Sequence, residues 1–462
     1  MPRGGGIGGC MDFRKFTYTS LEDLQNELKG LGLSLPLSEN ISVLKEPLQI
    51  GKKVMANRLA IQPMEGCDGT ADGSPGPLTI RRYDRFSQSG AGLIWVEAVS
   101  IVPEGRANAY QLMLTEKNIG AFQKLVEDTK EKTYKTFGFE PILVMQATHS
   151  GRYSKPEGTA APLIMDNNAH LEGDNKLPSS CIVSDEYLKK MEEKYAESAA
   201  LAEKAGFDGV DVKACHRYLI SESFSAYKRE GAYGGSFENR IRFFKNALTA
   251  ASGAVSSNVF ITSRMNIYDG FPYPHGFGVS PDGGTEPELS EAIAIVKMLR
   301  DEFSVPVVDF TLGNPYFNPH VNRPFDQGPY ELRESPLSGV ARASACIEQV
   351  KKEVPGIFVI SSALSYLRQY SGNLAAGQIE TGVADIAGFG RQAFAYPSFV
   401  ADLLQKGAMD AKKCCLSCSK CSQLMRASST AGCVIRDEVY LSIYKKDVLE
   451  NDKDIKNMVS NV

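Results

Sequence analysis

The sequence predicts an α/β fold, a (β/α)8 TIM barrel with a C-terminal cysteine-rich extension, on three observations. Eight short apolar runs alternate with longer segments of helical periodicity between about residue 50 and residue 405. Nearly every run ends in polar residues, which is where a barrel carries its chemistry. Five of the ten cysteines then crowd between Cys414 and Cys433. An open doubly wound sheet also accepts the alternation, so the strand count decides for the barrel.

In chain order, residues 1–40 read as an N-terminal extension. Its first stretch, Met1 to Cys10, has one basic residue and no apolar run of signal-peptide length, and is expected to be disordered, with Met11 an alternative start. Residues 41–405 form the expected barrel. Its strands are expected at Leu59–Gln62, Leu93–Val96, Ile142–Gln146, Val210–Lys213, Phe260–Arg264, Val307–Thr311, Phe358–Ser361 and Ile386–Phe389. Between them, Ser184 is an N-cap candidate ahead of Leu188, Met191 and Tyr195 at helical spacing, and Glu288–Asp301 and Ala341–Val354 show the same periodicity. Residues 406–462 form the extension.

Composition excludes several classes. A net charge of −4 gives no footprint for nucleic acid or an anionic membrane surface. No stretch approaches eighteen apolar residues, so no membrane-spanning helix is expected. A cytoplasmic, reducing location is the expectation, and it suits a chain whose remaining cysteines are scattered singly.

The cysteine run has the pattern CxxCxxC, with Cys433 twelve positions beyond Cys421. Thiolates at that spacing suit the sulfur cage of a [4Fe–4S] cluster. A structural zinc ribbon wants two separated CxxC pairs, and a chain this long needs no disulfide staples. Cys415, Cys418, Cys421 and Cys433 give the regular ligand spacing; either Cys414 or Cys415 is the spare.

At the strand ends, Gln146 offers an amide and Arg264 a fixed cation, while Ser361-Ser362 and Gly388-Phe389-Gly390-Arg391 close the last two strands, where barrels often hold a phosphate. Together these fit flavin mononucleotide (FMN): an amide for the pyrimidine edge, an Arg for negative charge on the reduced ring, and a phosphate pocket. Cys215 reads as packing rather than a nucleophile. His149 and Arg152 suit substrate binding and loop ordering equally. Residues 314–324 read as a lid or specificity loop, with His320 and Arg323 candidates to face a substrate.

Four motifs in order carry a resemblance: Asn57 through Met64, Gly92 through Ala98, Gln146-Ala147-Thr148-His149-Ser150-Gly151-Arg152, and Tyr233 through Phe243. Over roughly residues 40–440 the sequence resembles the old yellow enzyme, or NADH:flavin oxidoreductase, family. Its cysteine run resembles the iron–sulfur branch containing 2,4-dienoyl-CoA reductase and trimethylamine dehydrogenase. The resemblance implies FMN contacts from Pro63, Met64, Ala98, Gln146, Arg264, Ser362, Gly390 and Arg391, with NAD(P)H as a candidate electron donor. It implies that Lys213 and His216 bind the carbonyl oxygen of an unsaturated substrate and that Tyr218 supplies a proton. Lys213 departs from the histidine usual there and points to a carboxylate-bearing substrate. Glu65 stands where relatives carry Thr or Cys near the flavin, and is expected to turn elsewhere. No GxGxxG follows a strand, so the second flavin region of that branch is not expected.

The expected function is an FMN-dependent ene-reductase acting on a small unsaturated carbonyl or carboxylate, with the cluster passing electrons. An amine or alcohol dehydrogenase, or an electron-transfer subunit needing a partner, are the alternatives. A redox protein docking at the cluster and a homo-oligomer are the partners this reading admits.

Overall fold

The computed structural model describes residues 13–328 and 331–450, so the disorder expected for Met1 to Cys10 lies outside the described residues. Eight parallel strands close into a barrel in chain order. They are β1 (Leu59–Ile61), β2 (Leu93–Ser100), β3 (Ile142–Thr148), β4 (Gly209–Val212), β5 (Phe260–Tyr268), β6 (Val307–Leu312), β7 (Phe358–Ser361) and β8 (Ile386–Phe389). β8 pairs with β1, Phe389 opposite Ile61, which leaves no free edge.

The barrel interior packs Ala60, Leu93, Trp95, Ile142, Val144, Val307, Ile360 and Ile386. An antiparallel hairpin, Leu48–Ile50 with Lys53–Met55, adds Leu48, Ile50 and Met55 to the same cluster and closes it at the N-terminal ends of the strands. The interior is therefore filled, and chemistry is confined to the opposite mouth.

The helices form where their caps and periodicity direct. Asp185–Lys204 starts at Ser184, whose hydroxyl accepts from the Tyr187 N–H, and buries Leu188, Met191 and Tyr195. Phe237–Ala254 starts the same way at Ser236. The helix expected from Ala341 begins earlier, at Pro336, because proline is preorganised for the first helical turn.

Residues 13–40 carry the helix Leu21–Gly30 and pack on the barrel's outer helices, where Ser38 N–H donates to the Asn373 carbonyl at 3.0 Å. The cysteine-rich segment crosses the mouth of the barrel. Thr430 donates to Asp68 at 2.7 Å, Ala431 N–H donates to the Gly66 carbonyl at 2.9 Å, and Arg81 pairs with Asp437 at 2.8 Å. Leu424, Val434, Tyr440 and Tyr444 give it a small core of its own. Among the described residues no helix is long and apolar enough to cross a membrane.

Candidate active site

A cavity, with about 1030 Å³ of space free of protein atoms when the open solvent at its mouth is included, opens at the C-terminal ends of the strands. It is lined by Pro63 and Met64 after β1, Gln146 on β3, Lys213, His216 and Tyr218 after β4, Arg264 on β5, Ser362 after β7, and Gly390 and Arg391 after β8. Ala98 does not line it. That residue is buried in β2 beside a bulge at Glu97, opposite Gln146.

One side of the cavity is a rigid polar frame. Gln146 donates its amide N–H to Asp211 at 2.7 Å, which leaves its carbonyl oxygen as the free acceptor. Asp211 also accepts from Trp95 at 2.9 Å and from the Arg264 N–H at 2.8 Å; burial still pushes its carboxyl up to about 7. Arg264 is not a lone cation. It lies 2.9 Å from Asp309 and donates to the Pro63 carbonyl at 3.1 Å, while Gln62 donates to Asp309 at 2.7 Å. Gln62, Asp211 and Asp309 went unread in the sequence, although an acid inside an apolar strand run is itself a signal of a buried polar frame.

FMN fits these residues. Arg391 donates through one amine to the Pro324 carbonyl at 3.1 Å, while its Nη1 is buried without a hydrogen-bond partner among the described residues, as is the Ser361 hydroxyl oxygen. Arg391 lines the cavity, and a buried guanidinium donor left open there calls for an anionic acceptor such as a phosphate. A Cβ on Gly388 would lie 2.6 Å from the Ser361 carbonyl, so only glycine lets β7 and β8 approach here.

The other side gathers the reactive groups. Lys213 Nζ lies 3.6 Å from the centroid of the Tyr218 ring, and the Tyr218 hydroxyl donates to Glu65 Oε2 at 3.0 Å and meets the Tyr316 hydroxyl at 3.4 Å. Tyr153 stacks on Tyr316, ring centroids 3.9 Å apart. The expectation that Glu65 turns elsewhere is corrected: it lines the cavity, and the phenol of Tyr218 gives its carboxylate a partner. Burial, followed by the Glu65 charge, raises the Tyr218 phenol well above its ordinary range, so it stays protonated. Burial raises Glu65 and lowers Lys213.

His216 sits in a left-handed turn with Arg217, φ 62° and 55°, fixed by a 3.0 Å bond from its own N–H to Asn266 Oδ1. Its Nε2 lies 3.2 Å from the Asn322 amide nitrogen. The same amide nitrogen donates to the Leu312 carbonyl at 2.8 Å and to the Thr311 hydroxyl at 3.1 Å, which fixes Asn322 beside the imidazole. Burial, then the Arg264 and Lys213 charges, hold this imidazole neutral.

Cys415, Cys418, Cys421 and Cys433 line a smaller cavity of their own. Among the described residues no three His, Cys, Asp or Glu groups are close enough to grip a single metal ion. A cluster spreads its thiolates farther apart than one ion does, and the donor set here is all sulfur. The loop suits it: Ser417 and Ser419 have φ of 51° and 59°, and the Ser417 N–H donates to Cys415 Sγ at 3.4 Å. Cys414 faces away, accepting from Gln392 at 3.3 Å and donating to the Asp410 carbonyl at 3.4 Å. That leaves Cys415 as the residue turned to the sulfur cavity. Arg391, Phe394 and Cys421 line both cavities and form the wall between them.

The undecided residues now have positions. His149 bonds Tyr187 at 2.8 Å, and Arg152 is buried between Glu172 and Glu222; both order loops and neither lines the cavity. Cys215 is fully buried, its thiol pushed up to about 12. On the 314–324 loop, Arg323 lines the cavity with Tyr316 and Asn322, and His320 does not.

The profile of the NADH:flavin oxidoreductase / NADH oxidase family matches residues 43–278, just over half of the chain. An NADPH dehydrogenase of Clostridium acetobutylicum is 30% identical over 271 residues, which cover 58% of this chain and 73% of that one. Among solved structures, 2-naphthoyl-CoA reductase superposes with a TM-score of 0.70 at 17% identity, covering 86% of this chain and 57% of that one. Histamine dehydrogenase from Rhizobium sp. 4-9 gives 0.65 at 18%, covering 85% and 52%, so this chain spans little more than half of either. An old yellow enzyme homologue from Zymomonas mobilis gives 0.59 at 20%, covering 79% and 94%. The chain belongs to the NADH:flavin oxidoreductase / NADH oxidase family of flavin-dependent oxidoreductases.

Proposed function

We propose that this protein is an FMN- and [4Fe–4S]-dependent ene-reductase acting on a small activated alkene. The observation that carries the reading is a single cavity in which a cation, a neutral imidazole and a protonated phenol converge, sharing the wall Arg391–Phe394–Cys421 with the cavity of four cysteines. When bound, FMN supplies a hydride to the β-carbon of the alkene, and the cluster supplies electrons one at a time.

The protein's own residues divide the remaining work. Gln146 accepts from an imide N–H with an oxygen fixed by Asp211, and Arg264, tethered by Asp309 and the Pro63 carbonyl, holds positive charge against the ring. Arg391 and the Ser361-Ser362 turn hold the phosphate. Pro63, Met64 and Gly390 wall the ring, and Ala98 supports Gln146 from the neighbouring strand. Lys213 and the N–H of the neutral His216 imidazole take the charge that develops on the substrate's carbonyl or carboxylate oxygen. Tyr218 gives its proton to the adjacent carbon, as a phenol that burial keeps protonated can. Cys415, Cys418, Cys421 and Cys433 are the cluster ligands of this reading.

Oxidation of a cationic amine would use the aromatic group Tyr153, Tyr218 and Tyr316 as a cage. Lys213 already covers the Tyr218 face, so a second cation meets repulsion there. Anaerobic purification tests the proposal. The expected preparation holds about one FMN and about four iron atoms per chain, is bleached by NAD(P)H or a one-electron donor, and is reoxidised by enones or enoates. Bleaching by amines, with no reoxidation by any alkene, would overturn it.

A further inference from the structure

Tyr218 poses a problem that its position makes acute. A phenol that protonates carbon must be reloaded, and this one is 3% exposed, with Lys213 over its ring face. Among the described residues its hydroxyl has two hydrogen-bond partners, Glu65 and Tyr316. A second cavity lies behind them, with about 890 Å³ free of protein atoms when open solvent is included and with exposed Lys155 and Tyr110 at its rim. Glu65, Tyr316 and Met425 line both this cavity and the active-site cavity, and Glu65 is the carboxyl in that shared wall.

The two oxygens of Glu65 have different company. Oε2 accepts from Tyr218, whereas Oε1 is buried with no hydrogen-bond partner among the described residues. Gly66 fixes this placement: its N–H donates to Glu97 at 2.6 Å, and a Cβ there would overlap the Arg82 guanidinium. The charged and titratable groups facing Glu65 are Lys213, Tyr218, Tyr316, Cys67 and Glu97.

We infer that Glu65 is the proton relay that reloads Tyr218 between turnovers, drawing on water in the second cavity. The inference rests on the ene-reductase reading. Its steps move protons only. The Tyr218 O–H bond breaks as a C–H bond forms at the carbanionic carbon beside the carbonyl. The phenolate then takes the proton of the Glu65 carboxyl, which turns its O–H from the Oε1 position toward the phenolate, and the carboxylate regains a proton from bulk solvent through water in the second cavity. Glu65 touches the reaction through Tyr218 and is a positioning and relay residue, not a catalytic one.

Glu65→Gln, which keeps shape and hydrogen bonding but has no proton to pass on, is the test. In rapid mixing of the reduced holoenzyme with 2-cyclohexenone, sustained turnover is expected to fall about tenfold or more relative to the first turnover. Added formic acid, small enough for the second cavity, is expected to restore it. Independently of turnover, the wild-type infrared spectrum is expected to show a buried protonated carboxyl that Glu65→Gln lacks. If that variant does not fold, the wild type carries the test: the ratio of sustained to first turnover must fall as pH rises through the elevated pKa of Glu65. Equal loss of both rates without formate rescue, an unchanged ratio in the variant, or a wild-type ratio independent of pH would each overturn the relay. Failure of the wild type to reduce any alkene would instead overturn the ene-reductase reading, so the two failures are distinguishable.

Discussion

Replacing Tyr218 with Phe removes one oxygen from the centre of the proposed site and leaves the aromatic ring in place. The ring keeps its contact with Lys213, whose Nζ lies 3.6 Å from the centroid, so the cation–π contribution survives. What is lost is the donor to Glu65 at 3.0 Å and the contact to Tyr316 at 3.4 Å. An unpaired buried acceptor costs about 1–3 kcal/mol, which burial already offsets in part by favouring the neutral carboxyl of Glu65. The variant should therefore fold and keep its flavin, because Gln146, Arg264 and Arg391 are untouched. The rate effect is larger: a positioned general acid is worth about 10²–10⁴-fold, or about 3–5 kcal/mol of barrier. Anaerobic stopped-flow separates the two half-reactions. Flavin bleaching by NADPH should change by less than about twofold, since no proton from Tyr218 enters it, and reoxidation by an enone should slow by the full factor. Reoxidation at the wild-type rate with several enones would refute the role of Tyr218, and slowing of both halves would mean that the hydroxyl acts on the flavin site instead.

Four further outcomes follow from the same geometry. Cys415→Ser should lose most of its iron while Cys414→Ser keeps about four atoms per chain, by metal analysis, because of these two neighbours Cys415 faces the sulfur cavity and Cys414 does not. Arg391→Ala should weaken FMN binding by about 10–100-fold in a flavin titration, the effect of losing a charge-assisted hydrogen bond of about 1.5–3 kcal/mol. Gly66→Ala should lower stability by about 3–5 kcal/mol in chemical denaturation, because its Cβ displaces Arg82 from the buried carboxylates Asp68 and Glu97. The Asp211 carboxyl, raised by burial to about 7, contributes stability that is fully present below its unfolded pKa of about 4 and is lost as pH rises through 7. Asp211→Asn should flatten that decline between about pH 4 and pH 7.

The barrel was legible because each strand is a short apolar run bounded by turn residues, and all eight expected strands are present. Their ends were less so. β2, β3 and β5 run on to Ser100, Thr148 and Tyr268, past the point where hydrophobicity falls, because backbone pairing continues there, Ser100 beside Thr148 and Tyr268 beside Leu312. Glu97, for example, continues β2 while paired to Arg82 at 2.7 Å. Of five residues that line the cavity, Gln146 and Arg264 were legible because polar side chains end apolar runs, and Lys213, His216 and Tyr218 through the family resemblance. Their partners were not, since Glu65 and Tyr218 are 153 residues apart and Asn322 and His216 are 106 apart. His149 and Arg152 stayed undecided for the same reason: Tyr187, Glu172 and Glu222 claim them from distant elements. The choice between Cys414 and Cys415 turned on Gln392, which spacing does not reveal.

The central claim is that this cavity reduces an alkene at a flavin face. The most direct measurement is to reduce the anaerobic holoenzyme stoichiometrically, mix it with 2-cyclohexenone or an enoate, and follow flavin absorbance and product together. The account predicts that the oxidised spectrum returns as an equivalent amount of saturated product forms. A spectrum that stays bleached with every alkene, in a protein whose oxidised form is bleached by amines, would contradict it.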